Sequence, residues 1–419
     1  MKEKQYGFNR RSFLRSMSAA GLGSVLAAGK ILADTNEPNT AKAKKPKKLQ
    51  KEQPPQIPKR RLGKTGIEVP CLALGTMFNV VDKQIVLRKA LQWGMTYWDT
   101  ANSYGYGNSE LGIGKFLAKN PELRKELFIA TKASGANKIE DVEDRLQTSL
   151  KRMNTNYIDI YYGIHGCSDP ALLTDQLKQW AQKAKERKLI KFFGFTTHTN
   201  MAQCLMAASK LDWIDAIMTS FNFRYMQDKD MQTAVDACHK AGIAIIAMKT
   251  QGQGQDQNTF TAEDKKLTEH FIKRGFTEGQ AKLKVILDDK RISAVCIGRD
   301  NISHLMLNIA AAFDKTKLSR TDKATLNRYA QATASGYCAG CASNCESALP
   351  GMPCIRDIMR YLMYHNSYGD RTGARELFAQ IPASTRNRLL DIDYRTAEAL
   401  CPQNMPIGSF VAEAVSKLS

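Results

Sequence analysis

Eight short apolar runs, each followed by a stretch of helical periodicity, constrain the fold more than any other feature of the chain. They read CLALGTM (71–77), TYWDTA (96–101), LFIATK (127–132), YIDIYYGIH (157–165), KFFGFTTH (191–198), AIMTSFNF (216–223), IAIIAMKT (243–250) and ISAVCIG (292–298). Continuous apolar runs of this length suit strands buried on both faces, and strands that alternate with helices build parallel sheets. Eight such units predict an α/β chain closed into a (β/α)8 barrel. Ahead of them, RLGKTGIEVP (61–70) predicts a hairpin turning at Lys64–Gly66. No open-sheet phosphate fingerprint is present, because GLGSVLAAG and GYGNSELG lack its glycine spacing.

The carboxyl ends of parallel barrel strands share one face, and chemistry is done there. The second run ends in Asp99, and Tyr104 follows in a loop rich in Gly, Ser and Asn; the third ends in Lys132 and the fourth in His165. Singly, each has an ordinary role: a capping Asp, a rim Tyr, a solvated Lys, a hydrogen-bonded core His. Together they bring a phenol, an ammonium, a carboxylate and an imidazole to one rim, a set able to deliver a proton where charge grows on an oxygen. A phenol titrates near pH ~10 and donates poorly at neutrality, so a neighbouring ammonium that stabilises the phenolate eases the step. Lys132 is the candidate ammonium for Tyr104, Asp99 its holder, and His165 the group that orients the substrate oxygen.

In YWDTANSYGYGNSE (97–110) and these strand ends, the chain resembles the aldo-keto reductase family, with Asp99, Tyr104, Lys132 and His165 at the positions of its catalytic tetrad. The resemblance implies NADP(H) or NAD(H) as cofactor, a small-molecule carbonyl or alcohol as substrate, and Tyr104 as general acid/base. It is thinner around the nucleotide. Thr196 and Thr197 stand where the family has Ser-Asn, and Met218 where it has Gln. IGRDNISHLMLNIAA keeps the outline of the adenosine-phosphate loop, with Arg299 its one clear cation and Asn308 near the adenine position. Lys249 resembles the lysine of the family's ferredoxin-bearing branch; facing a phosphate and filling the barrel mouth are its two readings. The cofactor-binding candidates are therefore Thr196, Lys249, Arg299 and Asn308, with the choice between NADPH and NADH open.

Past a helix predicted at 320–333 the composition changes. Half of the ten cysteines fall in the last fifth of the chain, as Cys338, Cys341, Cys345, Cys354 and Cys401. Cys71, Cys167, Cys204, Cys238 and Cys296 lack ligand spacing and read as packing residues, Cys167 also as a candidate to line the pocket. The C-x2-C-x3-C run followed at a distance by Cys401-Pro402 resembles half of a two-cluster bacterial ferredoxin, in which the cysteine before Pro ligates the other cluster. Leu349 stands where the first run's fourth cysteine belongs, and the second run keeps only its last. The resemblance thus implies one [4Fe-4S] cluster on Cys338, Cys341, Cys345 and Cys401. The alternatives are Cys354 as fourth ligand, zinc on four thiolates, and disulfides.

The formal charge of +20 raises nucleic acid or an acidic membrane as partners. Residues 1–61 hold +11 of it, and no basic helix with interleaved aromatics follows, which argues against nucleic acid. NRRSFLR (9–15), ahead of a weakly apolar Ala/Gly/Ser/Leu segment, carries the twin-arginine export signature, with Ala33 a candidate cleavage point. The expected organisation is a signal segment (1–33), a Lys/Pro-rich tether (34–57), the barrel (58–334) and a small, mainly α-helical ferredoxin-type module (335–419). The expected location is the periplasm or beyond, with membrane contact only through an uncleaved leader. Two functions stand: an exported NAD(P)-linked oxidoreductase, and an iron-sulfur electron-transfer or docking subunit whose barrel no longer reduces carbonyls.

Overall fold

Lys59–Arg61 (β1) and Glu68–Pro70 (β2) pair antiparallel, with Arg61 opposite Glu68, and form the expected hairpin. Gly63 in its turn has φ +52°, and a Cβ there would lie 2.3 Å from the Gly242 carbonyl oxygen, so only glycine fits. Leu62 and Val69 of this hairpin join the core inside the barrel, which places the hairpin as its floor. The computed structural model describes residues 55–254, 261–298, 301–351 and 354–419. The twin-arginine segment, most of the tether and Arg299 lie outside the described residues.

The eight predicted runs form Leu72–Gly75 (β3), Tyr97–Asp99 (β4), Phe128–Lys132 (β5), Ile158–His165 (β6), Ile190–Thr197 (β7), Ala216–Ser220 (β8), Ala244–Met248 (β9) and Ile292–Gly298 (β10). They close in the order β10-β3-β4-β5-β6-β7-β8-β9, every neighbour parallel. Alternate side chains point inward, so Tyr97, Ile160, Tyr162, Met218 and Ile246 fill the barrel as a packed core. The other face packs under the surrounding helices, where Trp98, Ile129, Phe193 and Ile217 are buried.

Beyond the helix Arg320–Ala332 the described chain is helices and turns, with a core of its own around Ile358, Leu362, Phe378 and Val411. Fully burying a Phe or Leu of this kind contributes roughly 1.5–3 kcal/mol. The module docks on the barrel mouth through its cysteine loop. Asn200 N donates to the Gly340 carbonyl at 2.9 Å, and the Tyr225 hydroxyl donates to the Ala339 carbonyl at 3.1 Å. Gly340 has φ +77°, and a Cβ there would stand 2.3 Å from the His198 carbonyl oxygen, so a side chain would push the loop off the barrel. The helix Ile355–Met363 then lies across the mouth. Its apolar face faces the module core, while Arg356, Arg360 and Met363 line the space above the strand ends.

Candidate active site

Parallel register sets the site. Asp99 is opposite Ala130, and Lys132 is opposite Tyr162, so the ends of β4, β5 and β6 deliver their residues to the same rim. Lys132 is 1% exposed; its Nζ donates to Asp99 Oδ1 at 2.5 Å and to the Thr100 carbonyl at 2.7 Å. The same ammonium lies 4.6 Å from the ring centroid of Tyr104, and that ring meets His165 edge-on at 6.0 Å. All four residues singled out in the sequence therefore meet on one side of the barrel mouth. Asp99 Oδ2 is buried without a partner among the described residues.

Burial opposes the charge on Lys132, but Asp99 and Tyr104 outweigh it and hold its pKa above the usual lysine value. Burial also pushes Asp99 above the usual carboxylate range, with Lys132 pulling it back. The 2.5 Å contact with a firmly charged ammonium keeps the pair ionised at neutral pH. Burial pushes the Tyr104 phenol up to about 12, again against Lys132. The reading in which the ammonium makes Tyr104 a better acid is thus half of the physics: Lys132 acts in that direction, and desolvation exceeds it. The phenol keeps its proton until charge appears beside it. His165 is brought down to about 3 by burial, then by Lys132, Arg360 and Lys249, and is neutral.

A hydrogen-bond chain, invisible in the motif, orients His165. Ser103 Oγ donates to Ser134 Oγ at 2.9 Å, and Ser134 Oγ stands 2.5 Å from His165 Nδ1. The Ser134 oxygen accepts from Ser103 and has its own proton free to give to Nδ1, the arrangement that would leave the imidazole proton on Nε2. Asn102 Oδ1 fixes Ser134 by accepting from its backbone N–H at 2.7 Å. Buried Glu110 accepts from Thr131 and Arg152, and Arg152 also donates to the Asn102 carbonyl, tying the loop to the barrel wall.

The other side of the mouth differs. His198, Ser220 and Lys249, from the ends of β7, β8 and β9, line a cavity closed from above by Arg356, Arg360 and Met363. Lys249 has φ +55°, a left-handed conformation unusual for a lysine, and Gly252 N and Asn222 Nδ2 donate to its carbonyl. Burial, then Arg360, lowers its pKa to about 7. Thr196, at the end of β7, accepts from Gly166 N at 3.0 Å through its hydroxyl oxygen and keeps its own proton to donate. Asn308 lies in the helix Ile302–Phe313, with no described contact to the mouth. Cys167 does not line this space; it is buried with Sγ 3.9 Å from that of Cys204.

Cys338, Cys341, Cys345 and Cys401 line one small, mainly apolar cavity with Ile355, Met359, Met405 and Ile407. Cys354 is not among its walls and packs in the module core. Burial pushes the Cys338 and Cys345 thiols up to about 12, with the neighbouring cysteines adding to it. All ten cysteines are free. Among the described residues no three His, Cys, Asp or Glu side chains converge as a single-ion site. Cys338 and Arg356 line both cavities, so the two share a wall.

The sequence profile of the Aldo/keto reductase family matches residues 72–326, which contain the barrel strands and end before the cysteine loop. The chain is 25% identical over 325 residues to L-glyceraldehyde 3-phosphate reductase of Escherichia coli K12, covering 64% of this chain and 92% of that protein. To the uncharacterized oxidoreductase YrpG of Bacillus subtilis it is 35% identical over 210 residues, 44% of this chain and 64% of that protein. A thermostable aldo-keto reductase, Tm1743, solved with the inhibitor epalrestat, has the same barrel, with a TM-score of 0.54 at 24% identity over 65% of this chain and 100% of its own. On the extent of the profile match, the chain belongs to the aldo/keto reductase family and is an oxidoreductase of that family.

Proposed function

We propose that the chain interconverts a carbonyl compound and its alcohol at the barrel mouth, using NADPH or NADH, with Tyr104 as general acid and base. The observation that carries this reading is the buried Lys132, clamped by Asp99 at 2.5 Å and set 4.6 Å from the centroid of the Tyr104 ring, with His165 meeting that ring edge-on at 6.0 Å. The nicotinamide supplies the hydride when bound; the protons belong to the chain. His165 donates from Nε2 to the carbonyl oxygen and fixes its position. As that oxygen becomes an alkoxide, Tyr104 transfers its proton to it. The phenolate left behind is stabilised by Lys132, in a site where burial strengthens the attraction. In the reverse direction the phenolate takes the alcohol proton.

Ser220 supports a bound nucleotide, since its hydroxyl is buried at the end of β8 without a partner among the described residues. The cationic Lys249 suits a phosphate-bearing cofactor. The mouth cavity is about 40 Å3, room for a few waters, so admitting a nicotinamide ring requires Ile355–Met363 to move aside. Assaying the full-length, anaerobically prepared protein for NADPH or NADH oxidation with 4-nitrobenzaldehyde tests the reading. Turnover abolished in Tyr104→Phe supports it, and no turnover with either nucleotide sinks it.

The module is proposed to hold one [4Fe-4S] cluster on Cys338, Cys341, Cys345 and Cys401. Four thiols around a single cavity support it, with zinc on the same thiolates as the competing occupant. Prefolded export through the twin-arginine route would deliver the cluster intact to the periplasm; none of the described helices is long and apolar enough to cross a membrane. The roof over the mouth favours a second reading, in which the barrel docks an electron-transfer partner and reduces no carbonyl. Fluorescence titration with both nucleotides separates the two, because the second predicts that neither binds.

A further inference from the structure

Cys167 and Cys204 stand 37 residues apart in the chain and meet in the wall of the barrel, each fully buried. The Cys167 thiol donates to the Cys204 sulfur at 3.9 Å. Cys204 Sγ also lies 3.8 Å from the Cys167 carbonyl oxygen, so its side chain faces residue 167. The sulfurs of a disulfide stand about 2.05 Å apart, so about 1.9 Å remains to be closed, a distance within reach of rotation about the two Cα–Cβ bonds. The contact also makes the two thiols unequal. Its hydrogen bond holds Cys204 below the ordinary thiol value and drives Cys167 above it, with burial adding to the rise. Cys204 is then the thiolate of the pair, steadied by a neighbouring S–H, and the thiolate is the form that attacks a disulfide.

The two cysteines come from different elements. Cys204 belongs to the helix Met201–Ala208 that follows β7, and Cys167 to the loop after β6, two residues past His165. Cys167 N donates to the Thr196 carbonyl at 2.7 Å, which holds the inner end of that loop on the barrel. Its outer part is in solvent, with Asp169, Ala171 and Leu172 exposed. A surface loop of this kind opens locally at small cost, and opening brings a small reagent to the buried sulfurs. The same place is a junction with the module. Asn200, just ahead of the helix, donates from Nδ2 to the Ser168 carbonyl at 3.0 Å and from its backbone N to the Gly340 carbonyl. A covalent link here would tie the loop after His165 to the helix on which the module's cysteine loop rests.

We propose that Cys167 and Cys204 are a disulfide-forming dithiol that closes in an oxidising compartment, with a small-molecule disulfide as the oxidant. The Cys204 thiolate attacks one sulfur of the oxidant, which forms a mixed disulfide and releases the first small thiol. Cys167 then gives up its proton and displaces the second. Two protein thiols are thereby oxidised to one disulfide, and the oxidant is reduced to two thiols. The proposed twin-arginine export supplies the setting: a chain exported folded arrives with its thiols reduced and meets the oxidant outside the cytoplasm. The bridge spans 37 residues, long enough for the constraint on the unfolded chain to stabilise the barrel. Neither nucleotide nor metal takes part, so the dithiol does not rest on the reductase reading or on the cluster.

Treating the full-length, anaerobically prepared protein with oxidised glutathione, quenching in denaturant with N-ethylmaleimide and mapping peptides by mass spectrometry reads the bond. The expected product is a peptide pair joined through Cys167 and Cys204, two hydrogens lighter than the reduced pair and lost on treatment with dithiothreitol. In Cys167→Ala the reaction should stop with one glutathione on Cys204. The bridged protein should melt roughly 5 °C above the same sample reduced again. Recovery of both cysteines as maleimide adducts from the oxidised, folded protein overturns the proposal, as does a bridge from either to another cysteine. Should Cys167→Ala fail to fold, the peptide map of the parent protein decides alone. A protein that forms this bridge but turns over no aldehyde would sink the reductase reading and leave the dithiol standing.

Discussion

The two sides of the barrel mouth are built on opposite terms. On the β4–β6 side the polar groups are paired, Asp99 Oδ2 excepted: Lys132 with Asp99 and Thr100, Ser134 with His165, Asn102 and Ser103. On the β7–β9 side, Lys249 has no counter-ion and Ser220 no hydrogen bond among the described residues, and the roof comes from another module. The first side is preorganised, so its groups need little rearrangement when charge develops on a substrate oxygen. The second is incomplete as it stands, which is the state of a recognition surface before its ligand arrives. Removing a group from the first side should therefore damage chemistry, and the fold as well where the removal strands a buried charge. Removing one from the second should damage recognition.

The largest effect belongs to Tyr104→Phe. Loss of a positioned proton donor costs about 10²–10⁴-fold in rate, and the fold should survive, because Lys132 keeps both of its other partners. A rate within tenfold of the parent enzyme would break the comparison at its centre. Lys132→Met should lose as much activity and also destabilise the protein by roughly 3–5 kcal/mol, because it strands the buried Asp99 carboxylate. Chemical denaturation reads this directly. An unchanged midpoint would show that the β4–β6 side is not the rigid half. In the module, Cys401→Ser should abolish bound iron and the cluster's absorbance, whereas Cys354→Ser should leave about four iron atoms per chain.

The rigid side was the legible one. An apolar run ending in one polar residue says both that a strand is buried and where it stops, so Asp99, Lys132 and His165 could be placed on one rim from the pattern alone. The partners of these residues were not legible. Ser134 and Ser103 meet only because loops after two different strands converge, and no spacing in the sequence encodes that. Thr196 shows the same gap from the other direction: its position suggests a ligand contact, but nothing in the spacing says that its oxygen would also accept from Gly166 N. At Ile355–Met363 apolar residues at helical spacing mark a packing face, but that spacing does not say that Arg356 and Arg360 would reach the strand ends. Arg356 and Arg360 therefore went unread as site residues.

His165 gives a smaller effect, read through pH. Its folded pKa of about 3 lies below the ordinary histidine value near 6.5, so between these values the unfolded chain binds the extra proton. Stability therefore rises with pH through that window; the contribution is complete above about pH 6.5 and is lost as the pH falls toward 3. His165→Gln should remove part of this acid sensitivity, about 2 kcal/mol between pH 7 and pH 4 after discounting for the partial exposure of the ring. Urea midpoints of both proteins across that range measure it. Activity should likewise show no limb near pH 6.5 arising from this residue.

Ser134→Ala is the finest probe. It leaves the four tetrad residues in place and removes only the hydroxyl that holds Nδ1 as an acceptor. Without it the imidazole is free to carry its proton on either nitrogen, and the fraction with Nε2–H facing the mouth falls. One neutral hydrogen bond contributes about 1 kcal/mol, so kcat/KM for the aldehyde should drop roughly fivefold, shared between a lower kcat and a higher KM as its oxygen loses a donor. A merely structural serine would instead lower the thermal midpoint and leave the kinetics of the folded fraction unchanged. If the serine orients the ring, Ser134→Thr should restore most of the rate, because the threonine hydroxyl can reach the same nitrogen. Failure of that rescue in a well-folded variant would mean that the order on the rigid side comes from packing around His165 and not from the hydrogen-bond chain.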